Sequence, residues 1–227
     1  MSRVESLATI PIFRSLPDQA VAELDRACIW RSVDPGAWVL DYKAAGQELY
    51  FVPRGHLRVV VPAAGRDIIL RDLRDGDFFG ELAAIDGREG SAGIMAVTSS
   101  IVARLAAPRF TDLLHQHAEV CDYLLRHLAG QVRLLANKIN EQSTMNVRER
   151  LLAELLRLST GGVSSMPVVS PPPTHAELGA RIGSNREAVT RELNIMTRQG
   201  LIERRRGAIV LVKSDYIRAL LDACAEL

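Results

Sequence analysis

Residues Thr174 to Gly200, THAELGARIGSNREAVTRELNIMTRQG, constrain the fold more tightly than any other stretch of this chain. Thr174 and Glu177 have the spacing of a capping box, in which a hydroxyl and a carboxylate satisfy two orphan amides at a helix start. The helix this opens at His175 carries Leu178 and Ile182 on one face and a small Gly179 where a second helix must cross closely. Gly183 supplies the left-handed turn that ends it. Ser184 and Glu187 repeat the capping spacing, so a second helix is expected almost at once. Two short capped helices joined this tightly cross steeply, which is the geometry of a helix-turn-helix. In the second helix Val189, Leu193 and Met196 fall on one face and are expected to pack inward. Arg186, Glu187, Thr190 and Arg191 fall on the other, near its N-terminal end, where a recognition helix meets base edges. Arginine pairs bidentately with guanine, and a glutamate accepts from the cytosine amino group. A solvated face on an ordinary surface helix would account for the charges alone, but not for the two capped helices and the small residues between them.

The chain then reads LIERRRGAIVLV, two short strands turning around Gly207 and Ala208 with Arg204, Arg205 and Arg206 at the tip. Beside a recognition helix such a wing suits phosphate contact, which positions a protein without specifying sequence; Arg205 is the candidate. From Val147 onward twelve basic residues face nine acidic ones, a net of +3, while residues 1–146 carry −2. That field is a helper only, and specific contacts have to supply the rest.

The first half of the chain follows another pattern. After an expected helix over residues 17–27, β-rich runs (IWRSV, WVLDY, ELYFVPRGHLRVVVP, RDIILRDL, IMAVTSSIVARL) alternate with turns at Asp34-Pro35-Gly36, Ala64-Gly65 and Arg74-Asp75-Gly76. This spacing predicts a compact antiparallel β-roll or sandwich, with Gly55, Gly65 and Gly76 taking positive φ where the chain reverses. Pro108 opens a short helix over 108–116, and a long one is expected over about 118–143. Along it Leu125, Leu128, Val132, Leu135, Ile139 and Gln142 recur at spacings of three and four. Part of that stripe packs on the chain's own β-domain. A helix this long beside a small domain also needs a second partner, so a parallel homodimer seam through Leu125, Leu128, Val132, Leu135 and Ile139 is preferred. Asn146 and Glu149 form a further capping box, opening a helix over about 147–159; residues 160–173 read as a loop or short strand.

The resulting expectation is an α+β chain in three parts: a β-roll sensor over 1–117, a dimerisation helix and hinge over 118–145, and a winged helix-turn-helix over 146–227. No apolar run reaches the roughly 18 residues a membrane span needs, and the N-terminus lacks a signal-peptide core, so a cytoplasmic location is expected. Cys28, Cys121 and Cys224 form no metal-ligand cluster and read as incidental thiols, with a redox role for one of them left open. No metal, no catalytic nucleophile–base pair and no Gly-rich phosphate loop after a strand is evident, so an enzyme is not expected. His56, His115, His117 and His127 are haem-ligand candidates only by residue type.

The order of parts resembles the CRP/FNR family of bacterial transcription regulators over essentially the whole chain, and two local motifs carry the resemblance. Phe79-Gly80-Glu81-Leu82 is similar to the start of the family's phosphate-binding cassette. Ser184-Asn185-Arg186-Glu187-Ala188-Val189-Thr190-Arg191 is similar to the recognition helix of the cyclic-AMP-receptor branch. The resemblance implies a dimeric regulator of double-stranded DNA in which Arg186, Glu187 and Arg191 read a TGTGA-type half-site; a TTGAT-type site is the alternative. It also implies a cyclic nucleotide as effector and RNA polymerase as a possible partner. Two departures oppose the nucleotide. In the cassette Ser91 is in place, but Gly90 stands where an Arg normally neutralises the phosphate, and Arg88 is the one nearby substitute. Leu135-Ala136 replaces the pair of hydroxyl residues that contacts the base. Losing a bidentate, charge-assisted pair in a partly buried site costs several kcal/mol. A regulator not controlled by cyclic AMP in the usual way is therefore expected, with Gly80, Glu81, Leu82, Arg88 and Ser91 as pocket candidates and no cofactor implied with certainty. A nucleotide-dependent regulator using Arg88, and a ligand sensor without DNA function, are the alternatives.

Overall fold

The computed structural model describes residues 5–44, 46–63, 66–161 and 166–225. Two compact units emerge, Met1–Gln131 and Val132–Leu227, and the division falls inside the longest helix.

In the first unit two short 3-10 turns, Leu7–Thr9 and Pro11–Phe13, precede α1 (Asp18–Ala27). The roll follows as β1 (Ile29–Val33), β2 (Trp38–Leu40), β3 (Glu48–Arg54), β4 (Leu57–Ala63), β5 (Arg66–Leu73) and β6 (Phe78–Phe79). After α2 (Glu81–Asp86) it closes with β7 (Gly93–Ala96) and β8 (Ser100–Ala106). One sheet runs β1-β8-β3-β6 and the other β2-β7-β4-β5, and every pairing is antiparallel. Two expected runs divide: ELYFVPRGHLRVVVP turns at Gly55, and IMAVTSSIVARL breaks after Ala96. WVLDY ends as a strand at Leu40. Neither β6 nor α2 was legible as an element, because each is too short to show a period.

The alternation of β3 explains how one sheet is buried on both faces. Leu49 and Phe51 point toward the helices, into a core with Ile10, Phe13, Phe78, Phe110, Val120 and Leu124. Tyr50 and Val52 point into the roll, with Leu57, Leu73, Phe79 and Val102. Each such side chain contributes about 1.5–3 kcal/mol when fully buried. Gly55 and Gly76 take positive φ as anticipated; Gly65 lies outside the described residues. Cys28 is buried in the helical core, and burial, with Asp25 second, pushes its thiol up to about 12. The thiolate is the reactive species, so Cys28 is inert near neutral pH.

After α3 (Ala107–Gln116), α4 runs from Ala118 to Thr144. The second unit continues with α5 (Val147–Leu158), β9 (Val168–Val169), α6 (His175–Ile182), α7 (Arg186–Arg198), β10 (Ile202–Arg205), β11 (Ala208–Leu211) and α8 (Ser214–Ala225). Its core joins Leu151, Leu152 and Leu155 to Leu178, Ile182, Val189, Leu193 and Met196. The segment expected as a loop or short strand supplies β9, which makes the wing a three-stranded sheet ordered β10-β11-β9. The molecule is thus the expected α+β assembly of antiparallel β-roll, long helix and winged helix-turn-helix. Among the described residues no helix is long and apolar enough to cross a membrane, and no group of His, Cys, Asp and Glu could hold a metal.

Candidate nucleic-acid interface

The helix-turn-helix is built from its caps inward. Thr174 Oγ1 accepts from the Glu177 amide at 3.2 Å while Glu177 Oε2 accepts from the Thr174 amide at 2.8 Å, so the first box is formed. The box at Asn146 and Glu149 is formed as well. The expected box of Ser184 and Glu187 is not: the N-cap of α7 is Asn185, whose Oδ1 accepts from the Ala188 amide at 2.8 Å. Ser184 is instead consumed in closing α6, its amide donating to the Gly179 carbonyl at 2.8 Å. The turn therefore needs one residue more than two adjacent boxes would allow. Asparagine is as good a cap as serine, so nothing in stability opposes the shift.

Gly183 ends α6 at φ 65°, a conformation that costs an L side chain about 1 kcal/mol or more. Gly179 is required for close approach, though not to the second helix as expected. A Cβ there would lie 2.9 Å from the Ser184 carbonyl oxygen and 3.2 Å from the Asn185 carbonyl carbon, so the turn itself fills that space.

Val189, Leu193 and Met196 are fully buried, as their spacing predicts. The opposite face of α7 lines an open groove of about 580 Å³ bounded by Arg186, Glu187, Thr190, Arg191, Asn194 and Arg198. Asn194 and Arg198 escaped the sequence reading, although they continue the exposed row one and two turns beyond Arg191. Thr190 is less available than expected. Its hydroxyl donates to the Arg186 carbonyl at 2.8 Å and lies 2.7 Å from His175 Nδ1, which must then be the donor of that second bond. Burial, followed by the charges of Arg204 and Arg186, lowers the His175 pKa. Arg191 is exposed and 3.6 Å from Glu192, whereas Arg186 makes no ion pair among the described residues.

In the wing, Arg204 donates to Asn194 Oδ1 at 3.3 Å, which ties the wing to the recognition helix. Arg205 is held by Glu203 at 2.8 Å, and the tip residue Arg206 is exposed.

The second unit also contains a buried ionic network. Glu154 and Arg181, each with 6% of its side chain exposed, pair at 3.4 Å. Arg157 bridges Glu154 to Glu141 near the end of α4. Gln142 Nε2 donates to the Ile182 carbonyl at 2.9 Å, at the end of α6, and the same side chain accepts from Arg150. The last turns of α4 are thereby fastened to the helix-turn-helix by polar bonds.

In the roll, Gly80 has φ 87°, and a Cβ there would come within 2.5 Å of the Glu48 carbonyl oxygen. Only glycine fits this entry to α2. Glu81 follows, buried, with Leu82 on the exposed face. Gly90 donates its amide to the Ala44 carbonyl at 3.2 Å, and a Cβ there would meet only ordinary contacts of 3.7 Å or more. Arg88 has 86% of its side chain exposed and lies 3.8 Å from Asp86; Ser91 is exposed.

The chain's two halves match two family models: a cyclic nucleotide-binding domain over residues 30–117 and a Crp-like helix-turn-helix domain over residues 149–220. The cAMP-activated global transcriptional regulator CRP of Salmonella typhimurium is 27% identical over 169 residues, covering 73% of this chain and 80% of that one. A CRP/FNR-family transcriptional regulator from Thermus thermophilus is 27% identical, with a TM-score of 0.64, over 86% of this chain and 98% of that one. A mutant of CooA from Carboxydothermus hydrogenoformans shares the fold with a TM-score of 0.80 at 16% identity, over 94% of this chain and 95% of that one. Two domain matches in the right order, and full-length structural likeness, place this chain in the CRP/FNR family of transcription regulators, with a helix-turn-helix DNA-binding domain.

Proposed function

We propose that this regulator binds a TGTGA-type palindrome as a homodimer and is not controlled by cyclic AMP in the usual manner. The observation that carries the reading is the exposed groove face of α7, where Arg186, Glu187 and Arg191 project together from the helix's N-terminal half. Arg186 and Arg191 suit guanines, and Glu187 suits a cytosine amino group. Thr174, Ser184, Thr190 and Arg205 are the proposed flanking and backbone contacts. Selection of bound sequences from random DNA tests the reading; enrichment of unrelated sequences, or of none, would overturn it. Arg186→Ala is expected to cost about 1–3 kcal/mol and to relax preference at one base pair. Arg205→Ala should weaken all sequences about equally and flatten the dependence of affinity on salt.

Dimerisation is supported by α4. Leu125, Val132 and Ile139, spaced by seven, are 58%, 67% and 68% exposed, and Leu135 between them is 43% exposed. Leu128, the remaining seam candidate, packs against the protomer's own core. A two-fold dimer would engage half-sites one helical turn, about 34 Å, apart.

Independence from cyclic AMP rests on chemistry missing from the pocket. Gly90 offers no cation, Arg88 is turned to solvent beside Asp86, and Leu135-Ala136 offers the base no side-chain hydrogen bond. The Salmonella relative is cAMP-activated by name; this chain is expected to bind its operator equally well without nucleotide. Titrating cyclic AMP and cyclic GMP into ligand-free protein on a fixed operator, read by fluorescence anisotropy, checks this. An affinity that rises tenfold or more with either nucleotide would sink it.

A further inference from the structure

We propose that Gln142 is a positioning residue for operator recognition: it fastens the helix-turn-helix to the last turn of α4 and so fixes which spacing of half-sites a dimer accepts. The inference rests on reading α4 as the dimer seam. Gln142 closes the stripe that begins at Leu125, and its spacing alone would turn it toward the partner copy. Its amide turns instead to its own protomer. Nε2 donates to the Ile182 carbonyl at 2.9 Å, and Oε1 accepts from Arg150 on α5. Ile182 is the last residue of α6, and the last carbonyls of a helix have no partner inside it. One side chain thereby joins α4, α5 and α6.

The contact is close as well as polar. A Cβ at Gly183, in the turn between α6 and α7, would lie 2.8 Å from Gln142 Nε2 and 3.3 Å from its Cδ. The Gln142 amide therefore covers the turn that leads into the recognition helix. Glu141, the residue before it, accepts from Arg157 on α5 through both carboxylate oxygens. Val132, Leu135 and Ile139 meanwhile keep their apolar side chains exposed. The two tasks thus divide along α4: the seam ends at Ile139, and the turn after it belongs to the reader. Only Met145 and Asn146 separate α4 from α5, and a link of this kind alone would leave the reader free to swing on a few backbone dihedrals. The bonds of Gln142 and Glu141 remove that freedom. On DNA, one added base pair moves a half-site about 3.4 Å along the duplex and about a tenth of a turn around it. A reader fixed to α4 cannot follow that shift. A loosened one can, at a lower effective concentration over the second half-site.

The test measures full-length protein by fluorescence anisotropy on duplexes that carry one half-site, or two half-sites with the spacer lengthened or shortened by one base pair. Gln142→Met keeps the length of the side chain and removes its hydrogen bonds. Wild type is expected to lose about tenfold or more in affinity for each change of spacer, and Gln142→Met about threefold or less. The variant should also bind the best-spaced operator about tenfold more weakly while matching wild type on the single half-site. Gln142→Ala removes the contact over Gly183 as well, should flatten the spacer profile at least as far, and serves if the methionine variant does not fold. A variant profile as sharp as that of wild type would overturn the proposal. So would an equal loss on one half-site and on two, which would make Gln142 a support of the reader's own fold. If wild type itself gains nothing from a second half-site, the dimer reading fails and takes this inference with it; a sharp wild-type profile with an equally sharp variant one removes the inference alone.

Discussion

Ile139→Asp is expected to leave the protein monomeric and to lower its affinity for a two-half-site operator by about 100- to 1,000-fold. Ile139 is the most exposed of the seam residues on α4. In the proposed parallel dimer each seam position faces its own copy, so one substitution places two carboxylates against each other in a strip that excludes water. An uncompensated buried charge costs about 3–5 kcal/mol, which is about two to three and a half orders of magnitude in an association constant. Because Ile139 is already solvent-exposed in the single chain, the monomer should keep its fold. Sedimentation equilibrium and anisotropy on full and half operators check the two parts separately. A variant that remained dimeric with unchanged affinity would remove α4 from the interface.

Glu154→Ala is expected to destabilise the second unit by about 3–5 kcal/mol. Glu154 and Arg181 are almost fully withdrawn from water and pair at 3.4 Å, while Arg157 links the same carboxylate to Glu141 on α4. Deleting the carboxylate leaves the Arg181 charge buried on the first helix of the DNA reader and loosens the attachment of α4. The pair itself need not be stabilising. Replacing both Glu154 and Arg181 by methionine should restore most of the loss, since a well-packed apolar pair often equals a buried ionic one. Urea unfolding of the full chain, followed by far-UV circular dichroism, measures both variants. A loss below about 1 kcal/mol for Glu154→Ala would show that the network is hydrated and contributes little.

Much of the reader was legible in the residues themselves. Helix caps act over three residues and apolar periodicity over one helix, so Thr174 with Glu177, Gly183, and the inward row of Val189, Leu193 and Met196 followed from local chemistry alone. The second cap was misplaced by one residue for the same reason. Ser184 and Asn185 are equally good caps, and the choice was made by the bond from the Ser184 amide to Gly179, which belongs to the turn as a whole. Likewise β9 was not secured as a strand, because two residues have no period and pair only when β11 is beside them.

The sequence by itself determined the two helices of the reader, the cap at Thr174 and the outward placing of Arg186, Glu187 and Arg191 on α7, since each depends on contacts spanning a few residues along the chain. Tertiary structure alone decided that Leu128 packs inward while Leu125, Val132 and Ile139 stay exposed, although all four belong to one stripe. It also decided that Glu154 meets Arg181 across 27 residues. A carboxylate or guanidinium looks the same in sequence whether water or protein surrounds it. Burial and partners arise only when distant segments pack, and those two quantities set what the charge does.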